Sequence, residues 1–401
     1  MGDGWSSDVT LAGSAVDWRQ RLLKADIGWP NAVIDAWKTL STGSSLSLEQ
    51  GLRLYDEPDL SSIGELASMV KMARFGNHVF FNSNVHVNQT NICVLACKFC
   101  AFRRGRKAKD AYAMDIETYL AEIGRFADHV DEVHSVGGLH PDWGVDHYEE
   151  LFRSATQKYP HIHIKALTAV EIQHISRLSN ISIEDCLRRL KKAGLSSLPG
   201  GGAEILDDDV REVICRGKES SDEYLEIHRT AHEIGIPSNC TMLFATIESR
   251  KQRLSHMISL RELQSDTSGF QCFVPYPFLP DDSRLPNAQL ATGTETLRTI
   301  AISRLMLDNI PHIKAYRMNL GDALSELALS YGADDLDGTV HQESIMHLAG
   351  SVTPLDIDRN ILCKIIENAE AVAVQRNTIY TSFSIYKKEE LPPRRGLQMA
   401  K

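Results

Sequence analysis

A repeated alternation of short strand-like runs with longer helix-like segments is the property that limits the fold of this 401-residue chain most. β-Branched and aromatic runs recur about every 30 to 50 residues, and segments of helical periodicity lie between them. The predicted strands cover residues 78–87, 130–136, 161–167, 195–198, 238–244, 270–274 and 312–318. Successive strand–helix–strand units predict an α/β fold with a parallel sheet, closed into a TIM-type (β/α) barrel. A doubly wound open sheet is the lesser alternative.

Capping residues mark where several of the helices begin and end. Ser182 precedes two acidic residues and an apolar stripe that ends at Gly194, and Ser220 starts another helix that closes at Gly235. Residues 1–75 are predicted to form an N-terminal helical extension, residues 76–385 the barrel domain and residues 386–401 a C-terminal tail. In a barrel, functional residues lie where strands end and loops begin.

The composition excludes several classes of protein. With 43% hydrophobic and 24% charged residues, the chain is neither disordered nor collagen-like. Its formal net charge of −10 has the wrong sign for a protein that wraps nucleic acid. No apolar run is long enough for a membrane helix, so we expect no membrane insertion. Eight cysteines are too sparse for a disulfide scaffold, which predicts a reducing, cytoplasmic location.

Three of the eight cysteines lie in one short loop. Cys93, Cys97 and Cys100 form a C-x3-C-x2-C array directly after the first predicted strand. Three such thiolates can bind three irons of a 4Fe-4S cluster and leave the last iron open to another ligand. Zinc is the main alternative, although a structural zinc site needs one more nearby Cys or His. The other cysteines are scattered and are expected in the core.

The cysteine array, with Phe99 before its last cysteine, resembles the motif of the radical S-adenosylmethionine (SAM) superfamily. Further stretches are similar to the menaquinone and deazaflavin branch of that superfamily, over roughly residues 80 to 385. These stretches are residues 135–141, 165–172, 198–205, 269–275, 308–316 and 332–340. The resemblance implies a radical SAM barrel, a 4Fe-4S cluster bound by the three cysteines, and SAM as a co-substrate.

The same resemblance implies roles for individual residues. The residues expected to bind SAM are Phe99, Gly137, Gly138, Thr168 and Glu171. The expected catalytic residues are Glu171, Glu204 and Arg317. Physically, the glycine pair either lets backbone approach a ligand or makes a tight turn, and Glu171 either binds a ligand or forms a structural ion pair. The basic run at 103–109 is either a solvated loop or a source of arginines that bind an anionic substrate.

Within the branch, the resemblance implies a transferase of the futalosine pathway of menaquinone biosynthesis. Such an enzyme adds the 5′-deoxyadenosyl radical to the enolpyruvyl double bond of 3-(1-carboxyvinyloxy)benzoate and gives 6-amino-6-deoxyfutalosine. The alternatives are a paralogue that adenosylates a different unsaturated anionic acceptor, a related hydrogen-abstracting cyclase, and a non-catalytic iron–sulfur or zinc module. The implied partners are a small-molecule substrate and a one-electron donor such as flavodoxin or ferredoxin, without nucleic acid. A homodimer is left open.

Three segments depart from the usual pattern of the branch. Residues 244–246 are Phe-Ala-Thr where the branch has an aromatic residue, Gly and His. Arg317 replaces a Trp, and residues 341–343, His-Gln-Glu, keep one of two usual acids. Two of these segments lie at the ends of predicted strands, where a barrel reads its substrate, so we expect them to alter the choice of acceptor.

Overall fold

The structure is a computed structural model that describes residues 17–24, 28–355 and 357–386. Its strands are β1 (His78–Asn82), β2 (Asn84–His86), β3 (Glu132–Ser135), β4 (His163–Ala166), β5 (Leu195–Ser197), β6 (Ser238–Phe244), β7 (Phe270–Pro277), β8 (His312–Ile313), β9 (Asp335–Gly338), β10 (Val372–Arg376) and β11 (Phe383–Ile385).

The helices lie between these strands and before β1, where a short 3-10 turn, Trp18–Arg21, precedes them. They are α1 (Asn31–Ser41), α2 (Leu48–Asp56), α3 (Leu60–Phe75), α4 (Ile116–Gly124), α5 (Val145–Lys158), α6 (Ala169–Ser179), α7 (Ile183–Ala193), α8 (Asp208–Ile214), α9 (Ser221–Glu233), α10 (Arg250–Thr267), α11 (Gly293–Met306), α12 (Arg317–Leu329), α13 (Ile345–Leu348) and α14 (Arg359–Asn368).

The strands β2 to β9 close into a parallel barrel. β2 to β5 pair in chain order, and so do β6 to β8. Isolated parallel bridges join these groups: Leu198 with Ser238, Lys314 with Asp335, and Val85 with His341. The last bridge completes the ring between β2 and the segment that follows β9. The predicted TIM-type barrel is therefore confirmed.

The strand predicted at 78–87 is two strands that belong to different sheets. β1 pairs in parallel with β9 and β10, and β10 pairs with β11 in the antiparallel sense. The chain changes sheets at Ser83, whose hydroxyl donates to the carbonyl of His129 at 2.6 Å. The strand predicted at 312–318 is also shorter than expected, because the helix α12 already begins at Arg317.

The predicted helix boundaries at Ser182 and Ser220 are confirmed. The Ser182 side chain accepts from the Asp185 N–H at the start of α7, and α7 ends at Gly194, whose φ of 123° suits a residue without a Cβ. Ser220 and Glu223 form a reciprocal capping box at the start of α9. These caps satisfy backbone N–H groups that a helix start otherwise leaves unpaired.

The helices α1 to α3 share one hydrophobic core with the barrel. α3 packs on α11 and α2 packs on α10, where Gly51 lets Leu254 approach the helix backbone. The domain limits 1–75, 76–385 and 386–401 stay a prediction. Residues 1–16 and 25–27 of the predicted extension, and 387–401 of the predicted tail, lie outside the described residues. In the described part, no helix is long and apolar enough to cross a membrane.

Candidate active site

A cavity of about 290 Å³ opens at the carboxyl ends of the barrel strands. The strand residues His86, Thr241 and Asp337 line its inner wall, and the loops after β2, β3 and β5 surround it. Most of the wall is apolar, with a small number of charged and polar groups. Barrel enzymes bind their substrates at this end of the fold, so the cavity is the candidate active site.

The cysteine loop follows β2 and forms one side of the cavity. Cys93, Cys97 and Cys100 all line the cavity, and all three thiols are free. Backbone hydrogen bonds hold the loop in place: the Cys93 N–H donates to the Arg104 carbonyl at 3.0 Å, and the Arg104 N–H donates to the Asn91 carbonyl at 2.7 Å. The loop therefore presents the three sulfur atoms to one space.

The three thiols fit a 4Fe-4S cluster. Burial raises the pKa of Cys97 to about 12 and also raises the pKa of Cys100. A bound metal reverses this effect, because it deprotonates a coordinating thiol. Within residues 17–24, 28–355 and 357–386, no three Cys, His, Asp or Glu side chains are arranged to hold a single metal ion. Three thiols on one loop that line one cavity suit a cube in which each thiolate binds its own iron.

Gly137 and Gly138 follow β3 and pack against the loop that carries the cysteines. A Cβ at Gly138 would collide with the carbonyl of Ile92, and a Cβ at Gly137 would lie 2.9 Å from the carbonyl oxygen of Thr90. The absence of side chains therefore allows the two loops to meet. Both glycines also line the cavity, so their packing role is compatible with the SAM-binding role, which stays a prediction.

Glu171 connects three segments at the edge of the cavity. Its Oε2 accepts from the N–H and the hydroxyl of Thr168, both at 2.8 Å, in a capping box at the start of α6. Its Oε1 accepts from the Gly137 N–H at 3.0 Å and from Gln89 Nε2 at 3.2 Å. Burial raises the pKa of Glu171 to about 7, against the lowering effect of these hydrogen bonds. Since both oxygens are engaged, Glu171 orients Thr168 and Gly137; its catalytic role stays a prediction.

Glu204 lines the cavity as part of an ion pair that the sequence did not indicate. Lys218 Nζ donates to Glu204 Oε1 at 2.5 Å, and the two side chains are 9% and 6% exposed. The same ammonium lies 5.4 Å from the centre of the Phe99 ring. Although burial lowers the pKa of Lys218, the Glu204 carboxylate raises it well above its usual value. Lys218 is therefore a cation that connects the predicted residues Phe99 and Glu204 beside the cysteine loop.

Arg317 is not among the residues that line the cavity. It begins α12, and only 1% of the residue is exposed. Its Nη1 donates to Asp322 at 2.9 Å, and its Nη2 donates to the Pro354 carbonyl at 3.0 Å. The guanidinium thus forms hydrogen bonds within the protein, away from the cavity. This position gives no support to the predicted catalytic role of Arg317.

The substituted positions of the other two departing segments also lie outside the cavity, whereas Glu343, the acid that the last segment keeps, lines it. The N–H groups of Ala245 and Thr246 donate to the buried carboxylate of Glu248 at 2.6 and 2.9 Å. Gln342 Nε2 donates to Glu122 Oε2 at 2.8 Å. The departing positions absent from the cavity wall are residues 244, 245, 246, 317, 341 and 342. The expectation that they alter the choice of acceptor therefore has no support in the structure.

Four polar side chains of the inner wall were not predicted: His86, His134, Lys314 and Asp337. The two histidine rings stack with their centres 4.4 Å apart. Burial lowers the pKa of both, that of His134 to about 3, so both are neutral near pH 7. Lys314 forms a close ion pair with Asp337. His86 and His134 lie near the carboxyl ends of β2 and β3, so the sequence pattern could have indicated them as site residues. Asp337 lies in a strand that the sequence pattern did not predict.

Comparison with known proteins agrees with this site. Residues 87–257 match the radical SAM superfamily, and residues 267–388 match the CofH/MqnC C-terminal region. The chain is 40% identical to the aminodeoxyfutalosine synthase of Thermus thermophilus over 353 residues, which are 87% of this chain and 95% of the relative. It is also 40% identical to the Streptomyces coelicolor aminodeoxyfutalosine synthase over 367 residues, 88% and 94% of the two chains. A cyclic dehypoxanthine futalosine synthase of the latter organism is 35% identical over 354 residues, 86% and 88%.

Solved structures show the same fold at low sequence identity. Methylornithine synthase matches with a TM-score of 0.66 at 17% identity, over 82% of this chain and 94% of the other. The FeFe-hydrogenase maturase HydG of Carboxydothermus hydrogenoformans matches with a TM-score of 0.67 at 16% identity, over 87% and 80%. The barrel and its cysteine-lined cavity define an enzyme that uses a 4Fe-4S cluster and SAM. The chain belongs to the radical SAM superfamily, in the group that carries the CofH/MqnC C-terminal region.

Proposed function

We propose that the chain catalyses the reaction of the aminodeoxyfutalosine synthases. The 5′ carbon of SAM is joined to the methylene carbon of the enolpyruvyl group of 3-(1-carboxyvinyloxy)benzoate, and methionine is released. The aryl group moves from the ether oxygen to the neighbouring carbon, which becomes a ketone as its carboxylate is lost as carbon dioxide. The electron that cleaved SAM is returned, so the overall reaction is redox-neutral. The product is 6-amino-6-deoxyfutalosine, an intermediate of menaquinone biosynthesis. When bound, the cluster supplies the single electron that cleaves SAM.

One observation carries this proposal: the substituted positions of the departing segments lie outside the cavity wall, and Glu343, the acid that the last segment keeps, lines it. The predicted residues that do line the wall are Cys93, Cys97, Phe99, Cys100, Gly137, Gly138, Thr168, Glu171 and Glu204. At these positions, the substitution does not change a side chain that lines the cavity. The 40% identity to two aminodeoxyfutalosine synthases over most of the chain supports the same reaction.

In this proposal, the residues of the chain bind and orient SAM and the acceptor, and they exclude water from the cavity. Glu171 holds Thr168 and the glycine loop in one arrangement, which places backbone groups along the wall that SAM would occupy. Leu95, Val274 and Phe278 supply apolar surface around the same space. An apolar wall keeps water away from a reactive carbon radical and so suppresses its side reactions.

The proposal includes a cytoplasmic location and a small one-electron donor, flavodoxin or ferredoxin. All eight cysteines are free in the structure, which supports a reducing compartment because disulfides persist mainly in oxidising ones. The formation of a homodimer stays a prediction.

The reaction can be tested by anaerobic reconstitution with iron and sulfide, followed by SAM, a reductant and the enolpyruvyl benzoate. Mass spectrometry should detect 6-amino-6-deoxyfutalosine and methionine in equal amounts. Stoichiometric 5′-deoxyadenosine without the adduct would refute the proposal and favour the hydrogen-abstracting cyclase. A chain that never acquires the brown 4Fe-4S absorbance would favour the non-catalytic module.

A further inference from the structure

The cavity wall carries three cationic side chains, and two of them have carboxylate partners in the protein. Lys218 pairs with Glu204, and Lys314 pairs with Asp337. The other is Arg103, which follows shortly after the last cysteine of the loop. Its Nε is buried without a hydrogen-bond partner, and no carboxylate of the described residues forms an ion pair with it. Among the described residues, Arg103 is therefore the cation of the cavity wall without a carboxylate partner.

Neighbouring arginines in the basic run at 103–109 have partners elsewhere. Arg104 pairs with Asp110 at 2.6 Å, and Arg106 forms a close pair with Asp142. Neither arginine lines the cavity, whereas Arg103 does. The run is therefore divided, with Arg103 facing the cavity and Arg104 and Arg106 held by acidic residues outside it.

The remaining carboxylates of the wall are engaged by backbone and side-chain donors. Glu343 accepts from the N–H groups of Ile345 and Met346, each at 2.8 Å, at the start of α13. Glu171 accepts from Thr168 and from the glycine loop, as described above. Neither carboxylate has an ion-pair contact with Arg103, so its guanidinium is available to bind an anionic ligand in the cavity.

We propose that Arg103 binds the ring carboxylate of the acceptor and so selects an anionic aromatic substrate; this inference rests on the proposed function. The acceptor is a dianion, whereas SAM is a net cation because its sulfonium and ammonium outweigh its one carboxylate. A guanidinium without a carboxylate partner therefore favours the dianionic acceptor over SAM. Its planar fork can grip a carboxylate through two parallel hydrogen bonds.

The chemistry decides which of the acceptor's two carboxylates suits Arg103. The enolpyruvyl carboxylate ends as neutral carbon dioxide, and its negative charge departs as the electron that is returned, so a cation bound to it would stabilise a charge that the reaction must remove. Such binding would be stronger in the ground state than in the transition state and would slow the reaction. The ring carboxylate keeps its charge throughout, so binding it orients the acceptor without opposing any step.

The test compares Arg103→Ala and Arg103→Lys with Arg106→Ala, which removes an exposed arginine of the same run. With the full acceptor, Arg103→Ala should lower kcat/KM by about ten- to one hundredfold, the usual effect of losing hydrogen bonds to a charged group. Arg103→Lys should recover part of this loss, and Arg106→Ala should match the wild type. The 4Fe-4S absorbance and the Kd of SAM should be the same in all four proteins.

A second acceptor separates the ring carboxylate from other contacts. With the phenyl enolpyruvyl ether, which lacks the ring carboxylate, Arg103→Ala and the wild type should show the same kcat/KM. An equal loss with both acceptors would overturn the inference, because Arg103 would then act on something other than the ring carboxylate. A weaker Kd for SAM in Arg103→Ala would also overturn it and would assign Arg103 to the methionine carboxylate.

The two proposals fail in different ways. If the wild type forms the adduct and Arg103→Ala forms it equally well, the role of Arg103 is refuted and the proposed function stands. If the wild type forms no adduct from the enolpyruvyl benzoate, the proposed function is refuted and the inference about Arg103 falls with it.

Discussion

At the scale of single residues, Glu171 links the pH dependence of stability to the edge of the site. Burial raises its pKa from 4.5 to about 7, so the folded protein binds this proton more tightly than the unfolded chain does. Its contribution to stability is therefore full below pH 4.5 and falls as the pH rises through 7. Because glutamine does not titrate, we predict that the free energy of unfolding of the wild type falls relative to that of Glu171→Gln across this interval. Urea denaturation at fixed pH measures the difference, and a rise of the wild type relative to the variant would contradict the raised pKa.

The three cluster cysteines should differ sharply from the core cysteines when each is replaced. Cys97 lines the cavity, whereas Cys186 is fully buried in α7 away from it. We predict that Cys97→Ala abolishes the brown absorbance after reconstitution, because two remaining thiolates hold a cube poorly. Cys186→Ala, the matched control, should keep that absorbance. The assignment of the cluster would be wrong if Cys97→Ala kept its iron content.

The parts of the site that depend on a few consecutive residues could be predicted from the sequence. The parts that depend on contacts between distant residues could not. The cysteine array and the capping residue Thr168 are visible in a few consecutive residues. The ion pair of Lys218 with Glu204 spans 14 positions, and only the barrel brings the two side chains together. The sequence shows Arg103 as a member of a basic run. That Arg103 lines the cavity while Arg104 pairs with Asp110 depends on the path of the loop, which the sequence does not show.

At the scale of elements, the turn after β6 contains backbone strain. Ala245 has a φ of 66°, in the left-handed region that costs a residue with a Cβ about 1–2 kcal/mol. The branch pattern has glycine here. We predict that Ala245→Gly raises the free energy of unfolding by about 0.5–1 kcal/mol, after allowing for the greater freedom of glycine in the unfolded chain. Ala245→Val should lower it. Thermal or urea unfolding checks both, and a less stable glycine variant would show that the turn is unstrained.

The strand β9 shows why element prediction failed where charged residues are buried. Its sequence, Asp335 to Gly338, is rich in residues that are rare in strands, so no strand was predicted there. Buried cations make the strand stable: Arg376 donates to Asp335 at 2.6 Å, and Lys314 pairs with Asp337. These partners come from other elements, and no local pattern reveals them.

At the scale of the whole molecule, ion pairs inside the barrel control stability. Lys165 lies 2.9 Å from Glu132, and both are almost fully buried. Burial opposes ionisation of Glu132, but Lys165 holds its pKa at about 2, so this contribution is present above pH 4.5 and is lost as the pH falls toward 2. We predict that Lys165→Met costs about 3–5 kcal/mol, because it leaves a buried charge unpaired. The double variant Glu132→Gln/Lys165→Met should recover most of the loss in urea unfolding; a double variant as unstable as the single one would contradict this account.

The closed barrel was predictable because it follows from the number of repeated strand–helix units. The position of the cavity followed in turn, since the fold places substrate at the carboxyl ends of the strands. The sharing of one core between the N-terminal helices and the barrel was not predictable, because it depends on contacts such as that of Gly51 with Leu254.

In the proposed reaction, the 5′ carbon of SAM becomes bonded to the acceptor. The most direct measurement is an anaerobic turnover with SAM that carries carbon-13 at the 5′ position, followed by carbon NMR of the products. We predict that the labelled carbon appears in 6-amino-6-deoxyfutalosine. If the methylene carbon of the acceptor also carries carbon-13, the two labelled carbons should show carbon–carbon coupling in the product. Label found only in the methyl group of 5′-deoxyadenosine would contradict it.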